Sequence, residues 1–223
     1  MQSRHGKPLA IVLLLAGLLA GCAATRSPIE GMFDRPLEPN LNAEKVSVLF
    51  LFRHQAQQHG FDAIPKLQTG GVKDFVILFA DALRELSNIS RYETFTEQPN
   101  DVNEPKRREE LAAARASVDY VIEIDFFEES SFKQQFLSGT VSFLSLAAIP
   151  VPFDCDYTIS ARINAKSGKQ IASLRRKATL TSWVEALLVF AYPFYPLEGK
   201  REEIFSDSLH DIFKQIETEK ILK

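Results

Sequence analysis

The chain has 223 residues, with 26 Lys+Arg against 29 Asp+Glu, a formal net charge of −3, and 45% hydrophobic residues. A chain of this size can bury one substantial core, and its acidic balance lacks the basic patch that nucleic-acid phosphates demand. Two cysteines exclude a disulfide-rich scaffold.

In chain order, Arg4 and Lys7 precede an apolar run from Leu9 to Ala20, LAIVLLLAGLLA. Twelve helical residues rise only ~18 Å, short of a ~30 Å hydrocarbon core, so the run reads as a secretory signal and not as a permanent span. It closes on Leu19-Ala20-Gly21-Cys22, which resembles the lipobox of bacterial lipoproteins. That resemblance implies cleavage after residue 21 and acylation of Cys22, and more than one acyl chain gives stable anchoring. It also implies an outer-membrane address facing the periplasm, because Ala23 stands where an Asp retains such proteins in the inner membrane. Loss of residues 1–21 removes two of the 26 cations, leaving 24 Lys+Arg against 29 Asp+Glu. Lipidation uses Cys22, so Cys155 has no intramolecular partner and reads as structural.

Residues 22–42 form the lipidated N-terminus and, with three prolines and no periodicity, read as a flexible tether. A single domain is expected over 43–223. Lys45 to Phe52, KVSVLFLF, has the near-continuous apolarity of a strand covered on both faces. From Gly71 to Leu86 the residues Val72, Phe75, Val76, Phe79, Leu83 and Leu86 make one helical stripe, with Thr69 as its N-cap. Arg91 to Glu97 is a short strand, and EELAAARAS a helix of strong formers. VDYVIEIDF then alternates, with Val118, Tyr120, Ile122, Ile124 and Phe126 on one face and Asp119, Glu123 and Asp125 on the other. Strands at 157–165 and 170–181 make a hairpin turning at Lys166-Ser167-Gly168-Lys169. A closing helix carries Ile204/Phe205, Leu209, Ile212/Phe213 and Ile216. The fold class is therefore α/β (mixed α+β), with a mixed sheet of about five strands and about three packed helices. The order of elements over roughly 45–220, ASVDYVIEIDF before an insertion and YTISARINAKSGKQI resemble the compact α/β domain of a group of envelope lipoproteins. That group includes the amino-terminal domain of the Tol-system periplasmic protein, curli-secretion lipoproteins and penicillin-binding-protein activators. The resemblance implies a fold and carries no catalytic residue.

Catalytic patterns are weak. His54 and His59 lie five apart, which suits no helical metal face, and His210 beside Asp207 and Asp211 reads as solvated. Asp119, Glu123 and Asp125 are the polar side of a strand, and no nucleophile elbow or phosphate loop occurs. The expectation is a non-catalytic protein without cofactor or metal.

Two apolar inserts remain, 136–153 and 183–197. Phe136 to Phe153 is uncharged throughout, and Trp183 to Leu197 has Glu185 as its one charge. Gly139, Pro150 and Pro152 limit a helix in the first to about ten residues, ~15 Å, and Pro193 and Pro196 limit the second similarly. The hairpin brings both inserts to one end of the domain. They read either as an internal lid on the sheet or as a contact patch for a membrane or a protein partner, self-association included. The patch residues are Phe143, Leu146, Ile149 and Trp183, with Leu188, Phe190, Tyr192, Phe194 and Tyr195 from the second insert. The expected role is a binding or assembly subunit of the envelope. The other reading is an accessory or pore-forming component of a transport or secretion system. A pore requires membrane strands of ~9–11 residues, and 128–153 alternates poorly, with Phe132, Phe136, Val141 and Phe143 set among polar residues.

Overall fold

The computed structural model describes residues 24–40, 42–69, 75–145, 149–184 and 197–223. Seven strands and four α-helices occur among them: β1 (Ala24–Arg26), β2 (Val46–His59), β3 (Lys66–Leu67), α1 (Phe75–Ala82), β4 (Ile89–Thr96), α2 (Pro105–Ala116), β5 (Tyr120–Ser131), α3 (Phe132–Leu144), β6 (Val151–Ala165), β7 (Gln170–Val184) and α4 (Leu197–Thr218). They form one mixed α/β domain around an open sheet ordered β1-β7-β6-β5-β2-β3, with β4 also pairing β2. Sequence reading undercounts both element types. Two and three residues of β3 and β1 leave no period to read, and α3 lies inside the apolar insert.

The β-α-β crossovers place β4 and β5 parallel to β2 on its two sides, while β5, β6, β7 and β1 pair antiparallel in turn. β2 is buried on both faces, as its apolar run predicts. Val48, Phe50 and Phe52 join the main core, and Leu49 joins a second cluster with Val118 and Val121. The main core lies between the sheet and α1 and α4, where Phe205 and Phe213 are fully buried. Phe205 meets Phe126 edge-on at 4.9 Å and Tyr157 at 5.7 Å, an arrangement that adds quadrupole attraction to area burial.

The α4 stripe Ile204, Phe205, Leu209, Ile212, Phe213 and Ile216 is buried throughout. The earlier helix differs from its predicted stripe: Val76 is exposed, while Phe79 and Leu86 are buried. Val76 stands in the first turn of α1, which ends at Ala82 and tightens into a 3-10 turn at Leu83–Glu85, after which Leu86 still reaches the core. The expected N-terminal turn of that helix, 70–74, lies outside the described residues. Val118 also departs from its predicted face. It precedes β5 and turns toward Leu49 and the α2 side, where Leu111 and Ala114 pack.

Residues 24–40 are no flexible tether. β1 pairs β7 in the register Ala24↔Ser182, Thr25↔Thr181, Arg26↔Leu180. Ser27 N–H donates to the Thr179 carbonyl at 2.8 Å, and Glu30 and Lys177 exchange backbone bonds of 2.7 and 3.2 Å. The chain then crosses α4. Phe33 N–H donates to both Asp211 oxygens at 3.1 Å, Glu38 N–H to Thr218 Oγ1 at 3.2 Å, and Asn40 N–H to Glu217 Oε1. Ile29 is buried under this strap. Proline-rich sequence without periodicity matches a strap as well as a tether, because acceptors on another element, not local period, hold it. Gly31 makes the crossing possible with φ of 79°, and a Cβ there would sit 3.0 Å from the Arg175 carbonyl oxygen.

Candidate functional site

The hairpin β6–β7 is longer than its expected 157–165 and 170–181, running from the pair Val151↔Val184 to Asn164↔Gln170. Its open end extends beyond β5, whose last pair with β6 is Ser130↔Cys155. Three pieces of chain meet at this protruding end: the start of β6, the end of β7, and β1 through Ala24↔Ser182. α3 follows β5 without a break and completes the tip. Ser131 caps it, its hydroxyl accepting from Gln134 N–H at 3.3 Å. α3 spans thirteen residues and passes through Gly139, which was expected to interrupt it; nine of the thirteen, 136–144, lie in the apolar insert, within the length expected there. Beyond its own helix backbone, no atom of the described residues lies within 4 Å of where a Gly139 Cβ would be. The glycine costs helix propensity without breaking the helix. At ~20 Å it is still too short to span a bilayer, and no helix among the described residues is long and apolar enough to do so.

The polarity of α3 is inverted. Its inward face is polar: Gln134 Nε2 donates to Asp154 at 2.9 Å, Ser138 Oγ to the Pro152 carbonyl at 3.1 Å, and Gln58 bonds Gln135. Gln134, Ser138 and Ser142 recur every fourth residue and define this face. The outward face is apolar, with Phe136 61%, Phe143 78% and Leu144 76% exposed, and Leu137 and Val141 exposed beside them. A helix docking on a globular domain normally does the reverse. A row of rings continues the face, Phe61 stacking on Phe132 at 5.6 Å and Phe132 on Phe136 at 6.0 Å.

Among the sequence-predicted contact residues, Phe143, Ile149 (53% exposed) and Trp183 (37% exposed) stand at this end with their side chains at the surface. Cys22, Leu146, Leu188, Phe190, Tyr192, Phe194 and Tyr195 lie outside the described residues. The internal-lid reading fails for α3, since its apolar side chains point away from the sheet. Segment 132–144 is also helix and not membrane strand. Sequence reading missed Phe61, Leu137 and Leu144. Plotting 132–144 on a helical wheel with Ser131 as its cap would have separated the Gln134/Ser138 face from the Phe136/Leu144 face.

The titratable groups are engaged elsewhere. Asp119 accepts from Ser47 N–H at 2.8 Å and Ser47 Oγ at 2.6 Å, and these bonds hold its carboxyl below the usual range. Arg53 binds Asp125 at 2.6 Å and Glu123 at 2.8 Å, and Arg162 binds the same two carboxylates at 3.1 and 3.0 Å. This network covers the sheet face opposite the main core. Partial burial there raises the Glu97 carboxyl, Arg53 opposes the shift, and Glu123 adds to it. His54 is buried and meets Glu128 at 2.7 Å, where Arg201 also binds. His210 is not free in solvent as expected: it bridges α4 to Asp81 at 3.3 Å and Glu85 at 3.0 Å. Cys155 is a free thiol raised to about 11, by burial first and by Glu128 and Asp156 besides. Burial is the largest cause, and the Tyr157 hydrogen bond and Arg201 oppose it. No three His, Cys, Asp or Glu side chains converge as a metal site would require among the described residues.

No protein-family model matches the chain, and no curated protein matches it. Among solved structures it is similar to the PelC dodecamer from Paraburkholderia phytofirmans, with 11% identity and a TM-score of 0.31 over 85% of this chain and 96% of that one. A point variant of the same dodecamer gives 10% identity and a TM-score of 0.32 over 86% and 97%. The likeness is loose.

Proposed function

We propose that this chain is a non-catalytic lipoprotein of the bacterial outer membrane, anchored through Cys22 on the periplasmic side, that acts as a binding or assembly subunit of the envelope. One observation carries the reading: α3 turns its apolar face outward and bonds the domain through its polar face. Exposed apolar surface of this kind is unfavourable in water and marks a contact site.

Two measurements in the producing cell test it. Radiolabelled palmitate should enter the wild-type chain and not Cys22→Ser. A photo-crosslinking residue at Leu144 should yield an adduct that the same residue at Lys166, in the opposite turn of the hairpin, does not. Equal yields at the two positions would remove the contact site from the proposal.

A further inference from the structure

The contact site has a direction, and the strap supplies it. A twenty-residue flexible linker would separate anchor and domain by about 5–6 Å × √n, ~25 Å, enough to hold the domain clear of the bilayer. That freedom is absent, because pairing with β7 begins at Ala24. Two peptide steps separate Cys22 from Ala24, a reach of at most ~7 Å. Acyl chains on Cys22, as proposed above, would therefore enter the bilayer within ~7 Å of the Ala24↔Ser182 rung. Trp183 is the next residue after Ser182, and its partner in register is Pro152. The Pro152 carbonyl is the acceptor for Ser138 of α3. Anchor, Trp183 and the inverted helix thus share one end of the sheet.

We infer that this tip lies in the headgroup region of the bilayer that holds the Cys22 acyl chains, with α3 flat in the interface and Trp183 at headgroup depth. The inference rests on the acylation of Cys22 proposed above. An interfacial helix buries its apolar side by about 5–10 Å, which is the depth that Phe136, Phe143 and Leu144 need. From Phe136 to Phe153 no charge opposes such burial, and Lys133 sits at the end of α3 nearest the sheet. Tryptophan is enriched at bilayer interfaces for its apolar ring and polar N–H. A second copy of the chain would also cover α3, yet would not account for an anchor held this close to it.

Trp183 is the only tryptophan in the chain, so its fluorescence reports the tip alone. The acylated protein is reconstituted into vesicles of phosphatidylethanolamine and phosphatidylglycerol at 3:1, and compared with the mature chain bearing Cys22→Ser in buffer. Expected are a blue-shifted emission, a several-fold drop in acrylamide quenching, and stronger quenching by shallow than by deep spin-labelled lipid. The variant Phe143→Ser/Leu144→Ser should keep its far-ultraviolet circular dichroism and lose most of the lipid quenching. Intact mass separates the two proposals: acylated protein whose Trp183 emission ignores the vesicles overturns the docking and leaves the anchor standing. Absence of acyl mass overturns both. A blue shift in the Cys22→Ser chain that grows with protein concentration without vesicles overturns the docking in favour of self-association.

Discussion

Replacing Asp211 with Ala should be among the most damaging single changes in the domain. Asp211 and Arg176 form an ion pair with side chains only 4% and 3% exposed. The same carboxylate takes both bonds from the strap amide of Phe33. Without it, the Arg176 guanidinium stays buried and keeps, among the described residues, the Arg175 carbonyl at 2.9 Å and Gln215 Oε1 at 2.7 Å as partners. Stranding one member of a buried pair costs ~3–5 kcal/mol, and an unsatisfied amide adds ~1 kcal/mol. With an m-value of ~2 kcal/mol/M, the urea midpoint should fall by ~2 M, a large part of the ~5–15 kcal/mol that a domain has in total. The double change Arg176→Met/Asp211→Leu removes the charge together with its partner and should recover ~2 kcal/mol or more of that loss. Hydrogen exchange should show residues 27–34 losing protection in Asp211→Ala before the core strands do. A midpoint shift below ~0.3 M for the single variant, on the same m-value scale, would refute the assignment of this pair as the fastening of the strap.

Phe205→Ala, at a fully buried side chain wedged between Phe126 and Tyr157, should cost ~3–5 kcal/mol in the same titration; a loss under ~1 kcal/mol would show that the site collapses around the gap. Gly31→Ala meets both a positive φ and the Arg175 carbonyl, so it should lower thermal stability by an amount equivalent to ~1–2 kcal/mol, and an unchanged melting temperature would contradict the strap's path. With its thiol raised to about 11, Cys155 should be ~0.1% thiolate at pH 8 and label slowly with a disulfide reagent until the protein is denatured. Stoichiometric labelling of native protein within minutes would place it at the surface. The sign of the alkaline response follows from the same group. A folded value above the ordinary 9.0 stabilises the native state fully below pH 9, and that stability is lost as pH rises toward 11. Burial pushes the Tyr157 phenol up as well, so chemical denaturation at pH 8 and pH 10.5 should show the protein weaker at the higher pH.

Local pattern was enough for much of the fold. The alternation of Ile122, Ile124 and Phe126, the continuous apolarity of Val46 to Phe52 and the stripe from Ile204 to Ile216 each record the environment of a side chain in its own period, so β5, β2 and α4 were legible. The hairpin was legible too, since its turn and both strands are contiguous in the chain. α3 was half legible: its apolarity is plain in the sequence, but the side it shows to solvent depends on Asp154 and Pro152 accepting bonds from Gln134 and Ser138. The strap was not legible. Ala24, Phe33 and Asn40 are held by Ser182, Asp211 and Glu217, which lie far away in sequence. A backbone hydrogen bond between distant segments leaves no periodic mark on the residues that make it. The sequence by itself thus determined which residues are apolar and where a lipid anchor is expected. Tertiary pairing alone decided that Ala24, Trp183 and α3 share one end of the sheet, because that juxtaposition depends on backbone register, which no side-chain period encodes.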